Sequence, residues 1–194
     1  MSCSHHAPGR WKTDATFSMG GHGEIYQLCA HQGVNHAKGH PSTIPMEAEM
    51  TRVLYTAEAT VTGGRASGHG RTSDGVLDVQ LRSPKEMGGE GGGTNPEQLF
   101  AIGFAACFES ALGAVGRRER IEVSDVSIDS RVSLFPTVER GFALAVDLEV
   151  TLPQVQDPEQ AARLVAAAHQ VCPYSNATRG NIEVKLTVNG HDIG

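Results

Sequence analysis

The stretch from Leu99 to Val115 is apolar or small at almost every position, and Thr94-Asn95-Pro96-Glu97-Gln98 introduces it. Together these features predict a long helix. Asn95 suits the cap, Pro96 suits the first helical position, where its missing N–H costs nothing, and Thr94 with Glu97 has capping-box spacing. Phe100, Phe104, Ala105, Ala106, Cys107, Ala111 and Leu112 leave no polar face for solvent, so the helix is expected to be buried all round. Glu97 and Glu109 argue against a bilayer as its surroundings. The rest of the fold must then supply the cover.

The flanking segments have the pattern of strands. Val53, Tyr55, Ala57, Ala59 and Val61 alternate with more polar neighbours, as do Val76, Leu77, Val79 and Leu81 before Pro84, which predicts a hairpin across a long Gly-rich loop, Gly63 to Gly75. Gly88 to Gly93 reads as a hinge. Beyond the helix, Val126 to Leu134 and Phe142 to Leu152 predict a second antiparallel pair. A second helix starts at Asp157-Pro158-Glu159-Gln160 by the same cap-and-proline logic, with Ala161, Leu164, Val165, Ala168 and Cys172 on one inward face. Pro173 and Gly180 end it, and Ile182, Val184, Leu186 and Val188 form a last strand. The order strand, strand, helix, strand, strand, helix, strand belongs to the α+β class.

Residues 1–45 differ in kind. They hold Gly, Ser, Pro and six of the nine histidines without sustained periodicity, so disorder is expected there and a single folded domain over residues 46–194. A chain of 194 residues buries a core without disulfide staples. There is no uninterrupted apolar run of about 18 residues, and the first 30 residues lack the plan of a secretory signal. A cytoplasmic protein with reduced thiols is the reading. The net charge of −6 argues against a nucleic-acid partner, because counterion release needs clustered cations. The one basic cluster, Arg117, Arg118 and Arg120, suits the negative end of the long helix.

Cys107 and Cys172 stand on predicted helices in apolar surroundings, where a cysteine is ordinarily a small buried hydrophobe. Neither has a partner at zinc-finger spacing. His169 reads as a polar helix residue outside any site. A thiol peroxidase would ask more of such cysteines. Its nucleophile must be a thiolate, an apolar pocket favours the neutral thiol, and so a fixed cation is needed. A second thiol must trap the sulfenic acid as a disulfide before further oxidation makes it irreversible.

Four strings carry a resemblance over most of the domain: LYTAEATVTGGR at 54–65, SDGVLDVQL at 73–81, GTNPEQLFAIGFAACF at 93–108 and AAAHQVCPYSNATRGNIEVKL at 166–186. They resemble the organic hydroperoxide resistance proteins of the OsmC superfamily, and VCPYSNATRGN points to that branch rather than to the OsmC-like relatives. The resemblance implies an OsmC-like fold, with antiparallel sheets packed on two long helices in an intertwined homodimer. It implies Cys107 as the peroxidatic cysteine, Cys172 as the resolving one, Arg65 as the cation and Glu97 as the carboxylate that orients Arg65. An arginine suits the role because it stays charged when half buried and its fork serves two partners.

The implied substrates are organic and fatty-acid hydroperoxides, and the implied reductant is a lipoyl dithiol, either dihydrolipoamide or a lipoylated protein. No metal or prosthetic group is implied. Phe100, Phe104 and Phe108, four residues apart along the helix, read either as core or as the wall of an alkyl pocket beside Cys107; the family's substrates favour the pocket. Residues 1–45 have no counterpart in the family pattern. Glu97 and Cys107 are separated by about 15 Å of helical rise at about 1.5 Å per residue. On a continuous helix, the Arg65 and Glu97 pair is therefore expected to serve the cysteines of a partner chain. The rival classes are a non-catalytic thiol sensor or binding module and a structural stress protein with a metal-binding tail.

Overall fold

The computed structural model describes residues 52–193; the expected disorder of residues 1–45 lies outside them. The long helix, α2 (Pro96–Glu119), begins where the sequence places it, with Asn95 as its cap accepting from the Gln98 amide. The capping box does not form. Thr94 instead donates its hydroxyl to the Gln98 side chain and its amide to the Gln80 carbonyl, which leaves the Glu97 carboxylate to a distant partner. The helix ends among exposed arginines, as read.

Ahead of α2 the chain forms β1 (Ala59–Thr62), the single-turn α1 (Gly64–Ser67), β2 (His69–Thr72) and β3 (Asp78–Gln80), a three-stranded antiparallel sheet in chain order. The expected hairpin is thus a three-stranded meander. Its middle strand, His-Gly-Arg-Thr, lies inside the Gly-rich stretch read as a loop and has no apolar alternation to reveal it. The expected strand from Val53 is also shorter than its pattern. Residues 52–58 form no strand in the single chain, and Leu54 is 93% exposed.

After α2 come β4 (Ser127–Pro136) and β5 (Phe142–Thr151), paired antiparallel along their whole length as the alternation requires. Helix α3 (Pro158–Val171) is capped by Asp157, whose side chain accepts from the Glu159 amide. Cys172 stands at its end, Pro173 opens the short α4 (Pro173–Thr178), and β6 (Glu183–Val188) and β7 (His191–Asp192) close the chain. β6 joins β5 in parallel, since α3 and α4 form the crossover that carries the chain back to the same end of the sheet. The second sheet, in the order β4-β5-β6-β7, is therefore mixed rather than antiparallel.

The core lies between this sheet, α2 and α3. Phe104, Phe108, Leu112 and Val115 meet Val146, Leu148 and Val150 of β5, Leu164, Val165 and Ala168 of α3, and Leu186 and Val188 of β6. Each such burial contributes about 1.5–3 kcal/mol. Helix α2 is not covered all round. Ile102 is 69% exposed, and Ala106, Glu109, Ser110 and Ala114 share its open side. Among the described helices α2 alone is long and apolar enough to cross a membrane; the core described above accounts for the apolar residues of its other face.

Candidate active site

The Gly-rich stretch before β2 is a mount for Arg65. Gly63 takes φ 71° ahead of α1, and a Cβ on Gly68 would meet the Gly64 carbonyl oxygen at 2.0 Å. Side chains at these positions would open the single turn that carries Arg65. Arg82 ties this turn to the segment leading into α2, donating to the Gly68 carbonyl.

From this mount Arg65 Nη2 donates to Glu97 Oε1 at 2.6 Å; the Arg65 side chain is 38% exposed and that of Glu97 16%. Arg65 Nη1 reaches Met87 Sδ at 3.7 Å. The guanidinium therefore has one firm anchor and one soft one. Beside the pair lies a cleft of about 490 Å³, whose walls include Met87, Glu97, Ala101, Leu134 and Phe142.

Cys107 and Cys172 form a second pair. Their Sγ atoms are 3.6 Å apart, Cys172 fully buried and Cys107 partly exposed on α2. Pro173 stops α3 immediately after Cys172, and the new turn brings the Tyr174 amide to donate to the Cys107 sulfur. Burial pushes the Cys107 thiol above its ordinary value. The Tyr174 N–H works against this, and the adjacent Cys172 adds to it. Left with these neighbours, Cys107 stays a neutral thiol.

The structure thus brings Arg65 to Glu97 and Cys107 to Cys172. No hydrogen bond or ion pair joins the two pairs among the described residues, and α2 runs unbroken between Glu97 and Cys107. Phe104 and Phe108 are fully buried in the core, while Phe100 is partly exposed. Phe100 meets Phe104 edge-on at 5.8 Å and stacks on Tyr174 at 5.9 Å. Gly103 leaves room for that ring, since a Cβ there would lie 3.1 Å from the Tyr174 hydroxyl. His169 is less of a surface residue than the sequence suggests. Its ring tilts against Phe108 at 6.5 Å, and its Nδ1 is buried without a partner.

Tyr174 and Met87 are not among the site residues that the sequence points to. Tyr174 carries one signal, its place two residues after Cys172, where an aromatic ring follows a helix-breaking proline. Nothing in the sequence marks Met87, because its neighbour Arg65 is twenty-two positions away. Among the described residues no group of three or more His, Cys, Asp or Glu side chains converges as metal ligands would.

Comparison with known proteins gives consistent matches. Residues 89–187 match the model of the OsmC-like protein family. An organic hydroperoxide resistance protein of Xanthomonas axonopodis pv. citri is 51% identical over 143 residues, spanning 73% of this chain and 99% of that one. The organic hydroperoxide resistance protein OhrB of Bacillus subtilis is 48% identical over 134 residues, 69% of this chain and 96% of that one. The crystal structure of an organic hydroperoxide resistance protein from Legionella pneumophila superposes with a TM-score of 0.68 at 53% identity, covering 71% of this chain and 98% of that one.

Proposed function

Because the chain belongs to the OsmC-like family, and within it to the organic hydroperoxide resistance proteins, we propose that it is a thiol peroxidase that reduces organic hydroperoxides, fatty-acid hydroperoxides among them, to alcohols. The observation that carries this reading is the 3.6 Å separation of the Cys107 and Cys172 sulfurs. A disulfide needs about 2.05 Å, so a small side-chain adjustment converts one state into the other.

In the proposed cycle the Cys107 thiolate attacks the terminal peroxide oxygen. The O–O bond breaks, the alkoxide leaves and takes up the proton that the thiol released on ionising to become the alcohol, and Cys107 becomes a sulfenic acid. The Cys172 thiol then displaces water to form the disulfide. A dithiol, dihydrolipoamide or a lipoylated protein, restores both thiols by exchange. The chemistry requires neither a metal nor an organic cofactor. The Tyr174 amide is one fixed donor to the Cys107 sulfur, and Phe100 with Tyr174 offers an apolar wall for the alkyl chain, backed by Phe104 and Phe108.

The cation is Arg65, held by Glu97 at 2.6 Å. In our reading it serves the cysteines of a second copy of the chain in an intertwined homodimer. Two features support this: the unbroken α2 between Glu97 and Cys107, and the apolar surface a single chain leaves open at Leu54, Tyr55, Val61 and Ile102. The cytoplasm, where thiols are kept reduced, is the compartment this chemistry suits.

The test is consumption of cumene hydroperoxide and of hydrogen peroxide with dihydrolipoamide as reductant, comparing wild type with Cys107→Ser. Turnover that prefers the organic peroxide and vanishes in the variant is the expected result. No turnover from a reduced, dimeric protein would overturn the reading in favour of a thiol sensor.

A further inference from the structure

Met87 is the second anchor of Arg65, and it lines the cleft beside the Arg65–Glu97 pair. Its sulfur lies 3.7 Å from Arg65 Nη1, its side chain is about half exposed, and it lines the same cleft as Glu97. The placement is fixed by the backbone. Met87 closes a 3₁₀ turn, Lys85–Met87, whose amides from Met87 and Gly89 both donate to the Pro84 carbonyl. Gly88 leaves the turn at φ 79°, and a Cβ on Gly89 would meet the Ser83 carbonyl oxygen at 2.1 Å. The segment before this turn is tied on to the start of α2, since the Arg82 amide donates to the Thr94 carbonyl and the Thr94 amide to the Gln80 carbonyl. Nothing in the core requires a thioether at this position.

We propose that Met87 is an oxidation site inside the peroxide cleft, and that its sulfoxide detains Arg65 and slows the enzyme when peroxide outruns reductant. This rests on the peroxidase reading above. The thioether sulfur attacks the terminal oxygen of the hydroperoxide. An S–O bond forms as the O–O bond breaks, the sulfur loses two electrons to the peroxide, and the hydroperoxide proton ends on the departing alkoxide to give the alcohol. Arg65 Nη1, already beside the sulfur, is placed to donate to that alkoxide. The product exchanges a weak acceptor for a polar S–O oxygen, and a guanidinium donates to such an oxygen far more strongly than to a thioether. Arg65 is then held between Glu97 and the sulfoxide and is lost to the thiolate. Methionine sulfoxide reductases would reverse the change.

Two measurements test this on the full chain. In the first, Cys107→Ser protein is treated with cumene hydroperoxide alongside N-acetylmethionine amide in the same tube, and oxidation of Met87 is followed by peptide mass mapping. Met87 should oxidise faster than the free thioether and should lose that advantage in Cys107→Ser carrying Arg65→Ala. A rate at or below that of the free thioether, or one that ignores Arg65→Ala, overturns the assignment.

In the second, wild type is taken through excess peroxide, its disulfide is reduced with dithiothreitol, and the pH dependence of Cys107 alkylation and the peroxide turnover are measured. The alkylation midpoint should rise by about one pH unit, with about tenfold less thiolate at neutral pH, and sulfoxide reductase should restore it. Met87→Leu, compared with its own untreated sample, should show no such change. Turnover that survives Met87 oxidation refutes the brake while leaving the peroxidase intact. Absent turnover in untreated protein refutes the peroxidase reading instead, and the mass mapping still decides whether Met87 is the oxidation site.

Discussion

The sulfurs of Cys107 and Cys172, sixty-five residues apart in the chain, come within 3.6 Å because Pro173 breaks the helix at the residue after Cys172. One stoichiometric dose of organic hydroperoxide should therefore yield the Cys107–Cys172 disulfide within one chain, with an unchanged far-ultraviolet dichroism spectrum. In Cys172→Ser the same dose should stop at the Cys107 sulfenic acid, and a second equivalent should carry it to the sulfinic acid, which dithiothreitol does not reverse. Non-reducing peptide mapping checks both; a disulfide between chains would contradict the first.

Arg65 and Glu97 should set the titration of Cys107. Burial, and secondarily its cysteine neighbour, push this thiol up, and a nearby guanidinium pulls it down by favouring the thiolate. Removing the cation with Arg65→Ala must then raise the pH at which Cys107 becomes alkylable, with about tenfold less thiolate at neutral pH for every pH unit that the midpoint rises. Glu97→Gln should move it in the same direction by less. An unchanged pH profile in Arg65→Ala would remove Arg65 from the site.

In the proposed homodimer, mixing two variants separates action within a chain from action across the interface. Arg65→Ala and Cys107→Ser homodimers should each be inactive. When the two are unfolded and refolded together, a heterodimer with Arg65 acting in trans contains one intact site, and activity should return. Were Arg65 to act on its own chain, every site in the mixture would stay broken and no activity would appear.

The aromatic stripe should divide by function. Phe108→Ala empties a fully buried position and should cost about 3–5 kcal/mol in urea unfolding. Phe100→Ala, at a partly exposed ring stacked on Tyr174, should cost less stability and raise KM for cumene hydroperoxide more than for hydrogen peroxide. Equal effects on both substrates would make Phe100 a packing residue only.

His169 should make the fold sensitive to mild acid. Burial, and secondarily Arg179, hold its pKa below the ordinary 6.5, so the unfolded chain binds a proton that the folded chain refuses. Stability from this residue is full above about pH 6.5 and declines as pH falls toward the lowered folded value. The urea midpoint should thus drop between about pH 7 and pH 5, and His169→Asn should flatten the drop.

Local signals made much of this architecture legible. Asn95-Pro96 and Asp157-Pro158 start both main helices where caps and prolines require, and the alternation from Val126 to Leu152 is the β4–β5 pair. Other features are decided by tertiary neighbours. β2 carries His69, Gly70 and Arg71 and is a strand because β1 and β3 flank it. The expected Thr94–Glu97 capping box is absent because Asn95 takes the cap and the Thr94 amide donates to the Gln80 carbonyl, so Glu97 pairs with Arg65 instead. Period-two patterning is the same in either direction, so it could not show that β6 runs parallel to β5. The resemblance of the strings around them singled out both cysteines, whereas Met87 depends on a neighbour that only the fold brings near.

The parallel seating of β6 against β5 also orders events at the ribosome. Cys107 is synthesised 65 residues before Cys172, roughly 3–13 s earlier at about 5–20 residues per second. Even then Cys172 gains its setting only when the following strand, β6, has docked beside β5. Through that interval the nascent chain displays Cys107 without Cys172, its resolving partner in the proposed cycle, and small-molecule reductants are the nearest substitute. A cell translating this message under peroxide stress would therefore put the newest copies at greatest risk, before they could defend anything else.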